Sequence, residues 1–156
     1  MRALGITAVA TFAIDQLSKA VVVHGLNLIS VGEISVWPPF LMFRMAWNEG
    51  INFGLFSSAA DIMRWVLIAL ALVISVLVFN WIRKEAPGRW GLIAGGLLIG
   101  GALGNVIDRV IYGAVADFLN MSCCGISNPF SFNVADIAIF AGAFGLILFT
   151  GGKKAA

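Results

Sequence analysis

The sequence predicts an all-α membrane protein of four transmembrane helices, with a small antiparallel β element on its outer surface and both termini cytoplasmic. Three observations lead there. Of 156 residues, 60% are apolar and only 12% are charged, with a mean hydropathy of +0.97; a soluble domain has roughly a quarter of its residues charged. The apolar residues fall into four runs, about 3–23, 62–82, 90–112 and 133–150, each long enough to cross a bilayer. Arg2, the Arg83, Lys84 and Arg89 loop, and Lys153 and Lys154 all fall on one side of a four-helix path. By the positive-inside rule that side is cytoplasmic, and segments 26–61 and 113–132 face outward. The chain is one domain in size, 1–156.

Met1-Arg2 followed by Ala3–Ile14 resembles the start of a leader, but Asp15-Gln16 and Ser18-Lys19 interrupt the apolar run and no small-residue cleavage site follows. Ala3–Val23 reads better as one spanning helix, with Asp15 and Lys19 paired at i,i+4. Segment 26–58 is different in kind. Alternation over Leu28–Val36 and a second run, Phe40–Trp47, predict a hairpin broken at Pro38-Pro39. The Gly, Pro and Trp content of the outer loop, 26–61, suggests a cover that lies over a cleft at the outer end of the bundle and can move. Asn48–Gly54 is turn-rich.

Ile62–Ile82 is the second span, uncharged over Val66–Phe79 and bounded by Trp65 and Trp81 as interface anchors. Trp90–Tyr112 is the third. Its Gly96, Gly100 and Gly104, with Gly91 and Gly95, recur every four residues and admit close helix approach. Gly113 suits the helix end. Ala114–Ser131 is expected to be a loop, and Asn133–Thr150 the fourth span.

On this topology the polar residues converge at one depth, near the outer surface. Asp15 and Lys19 lie in the outer half of helix one, and Asn48 and Gly50 in the outer loop. Asn105, Asp108 and Arg109 share the outer end of helix three; Asp117 follows it, and Asn133, Ala135 and Asp136 begin helix four. Each has a structural explanation taken alone. Asn133 and Asp136 fit a helix cap with an acidic first turn; Asp108 with Arg109, and Asp15 with Lys19, could be plain ion pairs. Their convergence points instead to a site, because ionisable groups inside a membrane are costly.

The inventory excludes several chemistries. One histidine, His24, and the adjacent Cys123-Cys124 cannot supply a structural zinc site or a disulfide framework. No nucleophile elbow or phosphate loop is present. A net charge of +2 gives no reason to expect nucleic acid as a partner. What remains is a carboxylate pair, Asp117 with Asp136, at facing ends of helices three and four. Two close carboxylates share one proton, so one serves as base and the other as acid. That chemistry is metal-free aspartic peptide hydrolysis, with no cofactor. The rival reading is a small transporter or proton-conducting protein, which would place polar groups through the whole membrane thickness. A non-enzymatic assembly factor would use the glycine faces and need no facing carboxylates.

Five blocks in order, Asp15-Gln16-Leu17-Ser18-Lys19, Asn48-x-Gly50-x-x-Phe53-Gly54, Gly101–Asn105 with Asp108-Arg109, Val115–Phe118 and Phe132–Asp136, resemble the lipoprotein signal peptidase family, bacterial signal peptidase II. Ile51-Asn52 departs from it, since the family usually has small residues such as alanine there. The resemblance implies a four-helix membrane aspartic peptidase with a small extracytoplasmic β-sheet. It implies removal of signal peptides from diacylglyceryl-modified prolipoproteins, on the amino side of the lipidated cysteine. It assigns Asp117 and Asp136 to catalysis. Asn105, Arg109 and Asn133 would position pair and substrate, and Asp15, Lys19, Asn48 and Gly50 would shape the pocket, with Asp108 and Ala135 in the same blocks. The expected setting is the bacterial cytoplasmic (inner) membrane, with the site near the outer face. The partners would be prolipoprotein signal peptides and membrane lipid, and the expected state is a monomer.

Overall fold

The computed structural model describes residues 1–50, 57–125 and 128–150, the side chains of 57–60 excepted. Helix α1, Arg2–Lys19, widens into a π-helical turn, Ala20–Gly25, and a short helix α2, Leu28–Val31, follows. Strands β1, Glu33–Trp37, and β2, Leu41–Asn48, form a hairpin. Then come α3, Ser57–Glu85, α4, Arg89–Tyr112, strand β3, Val115–Met121, and α5, Val134–Thr150. Among these helices, three regions are long and apolar enough to cross a membrane: Arg2–Gly25, Asp61–Glu85 and Arg89–Tyr112. The fourth expected span, 133–150, is a shorter apolar helix of 17 residues, about 26 Å long.

Large apolar side chains face outward along whole helices. Leu70, Val73 and Leu77 on α3, and Phe140, Phe144 and Ile147 on α5, are all more than half exposed. Stripes of that length in water would aggregate, and lipid is the solvent they suit. Helix α4 is the hub and packs against α1, α3 and α5. Close approach, rather than large side chains, holds it. A Cβ on Gly96 would lie 2.7 Å from Leu4 O, and one on Gly101 would lie 2.5 Å from Ala135 O. From the facing side, a Cβ on Gly142 of α5 would lie 2.6 Å from both Ala94 O and Leu98 N. The four-residue glycine spacing therefore marks backbone-to-backbone seams. An apolar core of Leu4, Ile82, Ala94, Leu98, Ile99 and Leu146 closes the end of the bundle remote from the sheet.

The sheet corrects one expectation. Segment 114–131 is not simply a loop, because Val115–Met121 is a third strand and the sheet order is β1-β2-β3, antiparallel throughout. Val115, Ala116, Asp117 and Phe118 are all buried, so both faces of the strand are covered and no period-two pattern shows. Phe118 packs edge-on against Phe43 with ring centroids 6.0 Å apart, over Val22, Val23 and Leu28. The hairpin also begins later than its alternation suggested, since Leu28–Val31 is helical. Of the expected outer cover, Leu28–Asn48 is thus largely regular structure, while 51–56, including Phe53-Gly54 and the Ile51-Asn52 departure, lies outside the described residues, as do Lys153 and Lys154. Helix α4 ends at Gly113, whose φ of +85° lets its N–H cap Arg109 O at 3.1 Å.

The α4–α5 seam makes a prediction. Gly142→Ala should lower the thermal midpoint in detergent, by about 1–3 kcal/mol of stability, since its methyl group meets backbone. Gly5→Ala, with nothing within 4 Å of the added atom, should leave the midpoint unchanged.

Candidate functional site

Two networks meet where β3 and the start of α5 lie against α1 and α4. The first centres on Asp117 and Asp136. An isolated bridge between Leu119 and Phe132 brings the residue before Asn133 alongside β3. From there Asn133 Nδ2 donates to Asp117 Oδ1 at 2.6 Å. The backbone N–H of Asn133 donates to Asp136 Oδ2 at 3.2 Å, and Asn133 Oδ1 accepts the Asp136 N–H at 2.9 Å. That reciprocal pair is a capping box, so the structural explanation of Asn133 and Asp136 holds as well. Asn105 Nδ2 donates to Asp136 Oδ1 at 2.9 Å, and Asn105 Oδ1 accepts from Asn133 Nδ2 at 3.2 Å. Asn133 therefore ties both carboxylates together, and Asn105 orients Asn133.

Asn48 closes the other side of Asp117, donating from Nδ2 to Oδ2 at 3.1 Å while its own Oδ1 accepts the Gly50 N–H at 3.0 Å. Gly50 sits at φ +95°, a conformation that favours glycine, while a Cβ there would meet only the movable end of Leu67 at 2.6 Å. The buried Asp117 carboxyl is pushed up to about 6, first by burial and then by the neighbouring Asp136 charge. The Asn48 and Asn133 hydrogen bonds oppose this without cancelling it. Arg109 is half-buried, with its NH1 donating to Asn105 O at 3.3 Å and its buried Nε making no hydrogen bond among the described residues.

The second network is buried. Lys19 Nζ lies 2.7 Å from both Asp15 Oδ2 and Asp108 Oδ2. Asp108 thus pairs with Lys19 and not with Arg109, because its position on α4 faces α1. Asp15 is 0% exposed and Asp108 1%. A Cβ on Gly104 would lie 2.6 Å from Asp15 Oδ2, so that glycine makes room for the carboxylate. Asp15 Oδ1 accepts the Ala135 N–H at 2.9 Å, and Asp108 Oδ2 accepts the Ala116 N–H at 3.2 Å.

All of the expected site residues therefore gather at one place, in two connected groups. One participant escaped the residue-by-residue reading. Gln16 Nε2 lies 3.1 Å from Asp15 Oδ2 and 3.0 Å from Asp108 Oδ1. Its signal was present, as an amide beside an aspartate inside an apolar helix. His24 sits outside the site, exposed, with Nε2 3.5 Å from Tyr112 Oη. Cys123 and Cys124 are exposed thiols in the following loop. Among the described residues no three His, Cys, Asp or Glu side chains converge as a metal site.

The chain resembles known proteins over most of its length. The family described as signal peptidase (SPase) II matches residues 7–150. A lipoprotein signal peptidase of Methylorubrum extorquens (strain PA1) is 42% identical over 143 residues, covering 92% of this chain and 82% of the relative. One from Shewanella sp. (strain MR-4) is 40% identical over 136 residues, covering 86% and 78%. A solved bacterial membrane enzyme, determined in meso at 1.9 Å resolution, superposes with a TM-score of 0.79 at 27% identity, over 96% of this chain and 92% of that one.

Lys19→Met should strand Asp15 and Asp108 without a cation. Breaking a buried pair in this way costs about 3–5 kcal/mol, which a thermal melt in detergent would read as a large drop in midpoint; an unchanged midpoint would contradict the pairing.

Proposed function

The chain belongs to the signal peptidase II family, and from that premise we propose that Asp117 and Asp136 are the catalytic pair with which it works. Members of this family are bacterial membrane enzymes, and the chain is an aspartic peptidase that removes signal peptides from prolipoproteins. The observation that carries the residue assignment is Asn133, which holds one oxygen of Asp117 and one of Asp136 through a single side chain and its own backbone.

The chemistry follows from a shared proton. With Asp117 raised to about 6, the pair holds one proton on the acid side of neutrality, below about pH 6. The ionised carboxylate takes a proton from water as the water oxygen bonds to the scissile carbonyl carbon. The protonated partner hydrogen-bonds to the carbonyl oxygen as it gains charge. The C–N bond then breaks, with the nitrogen taking a proton from the pair, and the pair returns to its single-proton state. Arg109 lines an apolar groove at its polar end, with NH1 on Asn105 O, and its guanidinium is suited to receive a substrate carbonyl.

The substrate is a diacylglyceryl-modified prolipoprotein cut on the amino side of its lipidated cysteine. A groove of about 250 Å³ supports this, running between α3, α4 and α5 past Leu70, Ile74 and Ile139 and ending at Asn105 and Arg109. It is apolar along its length, as acyl chains or an apolar signal peptide require, and polar where the bond is cut. Four membrane spans, with α5 as a short fourth, both termini in the cytoplasm, a single domain and a monomeric state complete the proposal. The site then lies near the outer face of the inner membrane, at the depth of the lipidated cysteine. A transporter is not favoured, since the buried charges cluster at one end of the bundle instead of lining it.

Asp117→Asn and Asp136→Asn should each abolish processing of a lipidated prolipoprotein in detergent while remaining folded; normal processing by both would overturn the assignment. Stability should move the other way. Asp117 has an ordinary value of 3.8 when unfolded and about 6 when folded. The folded state then holds the proton more tightly, so this group's contribution falls as pH rises from about 4 through 6. At pH 8 Asp117→Asn should melt no lower than the parent, and the advantage should vanish below pH 4.

A further inference from the structure

The hydrogen bonds around Asp117 and Asp136 orient their side chains but do not explain what fixes the two backbone segments that carry them. Those segments are held from behind. Asp108, on α4, accepts the peptide N–H of Ala116, and Asp15, on α1, accepts that of Ala135. Each of these peptides lies one residue before a member of the proposed pair. The separation of Asp15 and Asp108 therefore constrains β3 and α5 at the site from the helix side, in addition to the direct bridge between Leu119 and Phe132.

Two bridges span Asp15 and Asp108. Lys19 is one, its ammonium 2.7 Å from an oxygen of each carboxyl. The other is Gln16, whose Nε2 is within 3.1 Å of Asp15 Oδ2, 3.0 Å of Asp108 Oδ1 and 3.3 Å of Gly104 O. An amide nitrogen carries two protons, and the charged acceptors make the stronger bonds. We propose that Gln16 is a positioning residue for peptide hydrolysis: its amide, with Lys19, locks Asp15 and Asp108 together and thereby holds Ala116 and Ala135, and so Asp117 and Asp136, in register. This rests on the assignment of that pair. Gln16 touches neither carboxylate of the pair and acts only through the clamp.

A purely structural Gln16 would change stability alone, so the test reads rate and pH dependence per folded enzyme. Gln16→Met keeps the length and loses both donors. It should lower kcat about 10- to 100-fold, the cost of a small misplacement, with KM little changed. Its alkaline limb should move to lower pH, because a looser pair lets Asp136 act less strongly on Asp117. Arg109 and Asp108 of α4, Lys19 of α1 and Asn48 of β2 also face that site and are not substituted in this variant. Gln16→Glu keeps the shape and can donate one bond when protonated, so it should retain more turnover at low pH than at high pH even if Gln16→Met folds poorly. Parent-like kcat and pH limbs in the folded variants, with only the melting temperature reduced, would overturn the inference. Asp117→Asn run alongside separates the two readings: if it is inactive while the Gln16 variants behave like the parent, the pair stands and the clamp falls.

Discussion

A single buried ammonium underlies this architecture. Lys19 lies 2.7 Å from the carboxylates of Asp15 and Asp108, and no member of the trio is more than 5% exposed. Burying three charges is expensive anywhere and more so inside a membrane protein. Hydrophobic replacements would hold α1 against α4 at lower cost. What they could not do is accept the peptide N–H groups of Ala116 and Ala135. The ionic cluster is where helix packing becomes the placement of two particular backbone segments, and the proposed catalytic pair inherits its geometry from it.

The cluster in turn depends on glycine. Asp15 fits against α4 only because Gly104 has no side chain, and α5 comes close enough to offer Ala135 because Gly101 and Gly142 let backbones touch. In lipid there is no hydrophobic drive to press helices together, so close packing has to supply the contact. At the sheet end of the bundle the same economy recurs. Asn133 caps α5 in a reciprocal box with Asp136 and also binds Asp117, so one side chain serves fold and site together.

Much of this was legible in the sequence. The apolar runs, the glycine spacing and the convergence of polar residues at one depth follow from composition and period, and the two carboxylates stand out by their cost. Strand β3 was hidden. Val115–Phe118 is buried on both faces, so it lacks alternation, and its identity depends on pairing with β2, which is distant in the chain. The partner of Asp108 was hidden too. Adjacency suggested Arg109, but neighbours on a helix point in different directions, and the true partner, Lys19, comes from another helix. Gln16 was overlooked because a neutral amide becomes informative only once the two carboxylates it bridges are seen together.

The central claim is that Asp117 and Asp136 act as one titrating unit. The direct measurement is to follow the isotope-labelled Asp117 carboxyl by infrared difference spectroscopy against pH, in the parent enzyme and in Asp136→Asn. Asp117 should titrate near 6 in the parent. In the variant it should titrate lower, since the neighbouring charge is gone, yet still above the ordinary carboxylate value because burial remains. An identical titration in both proteins would contradict the account.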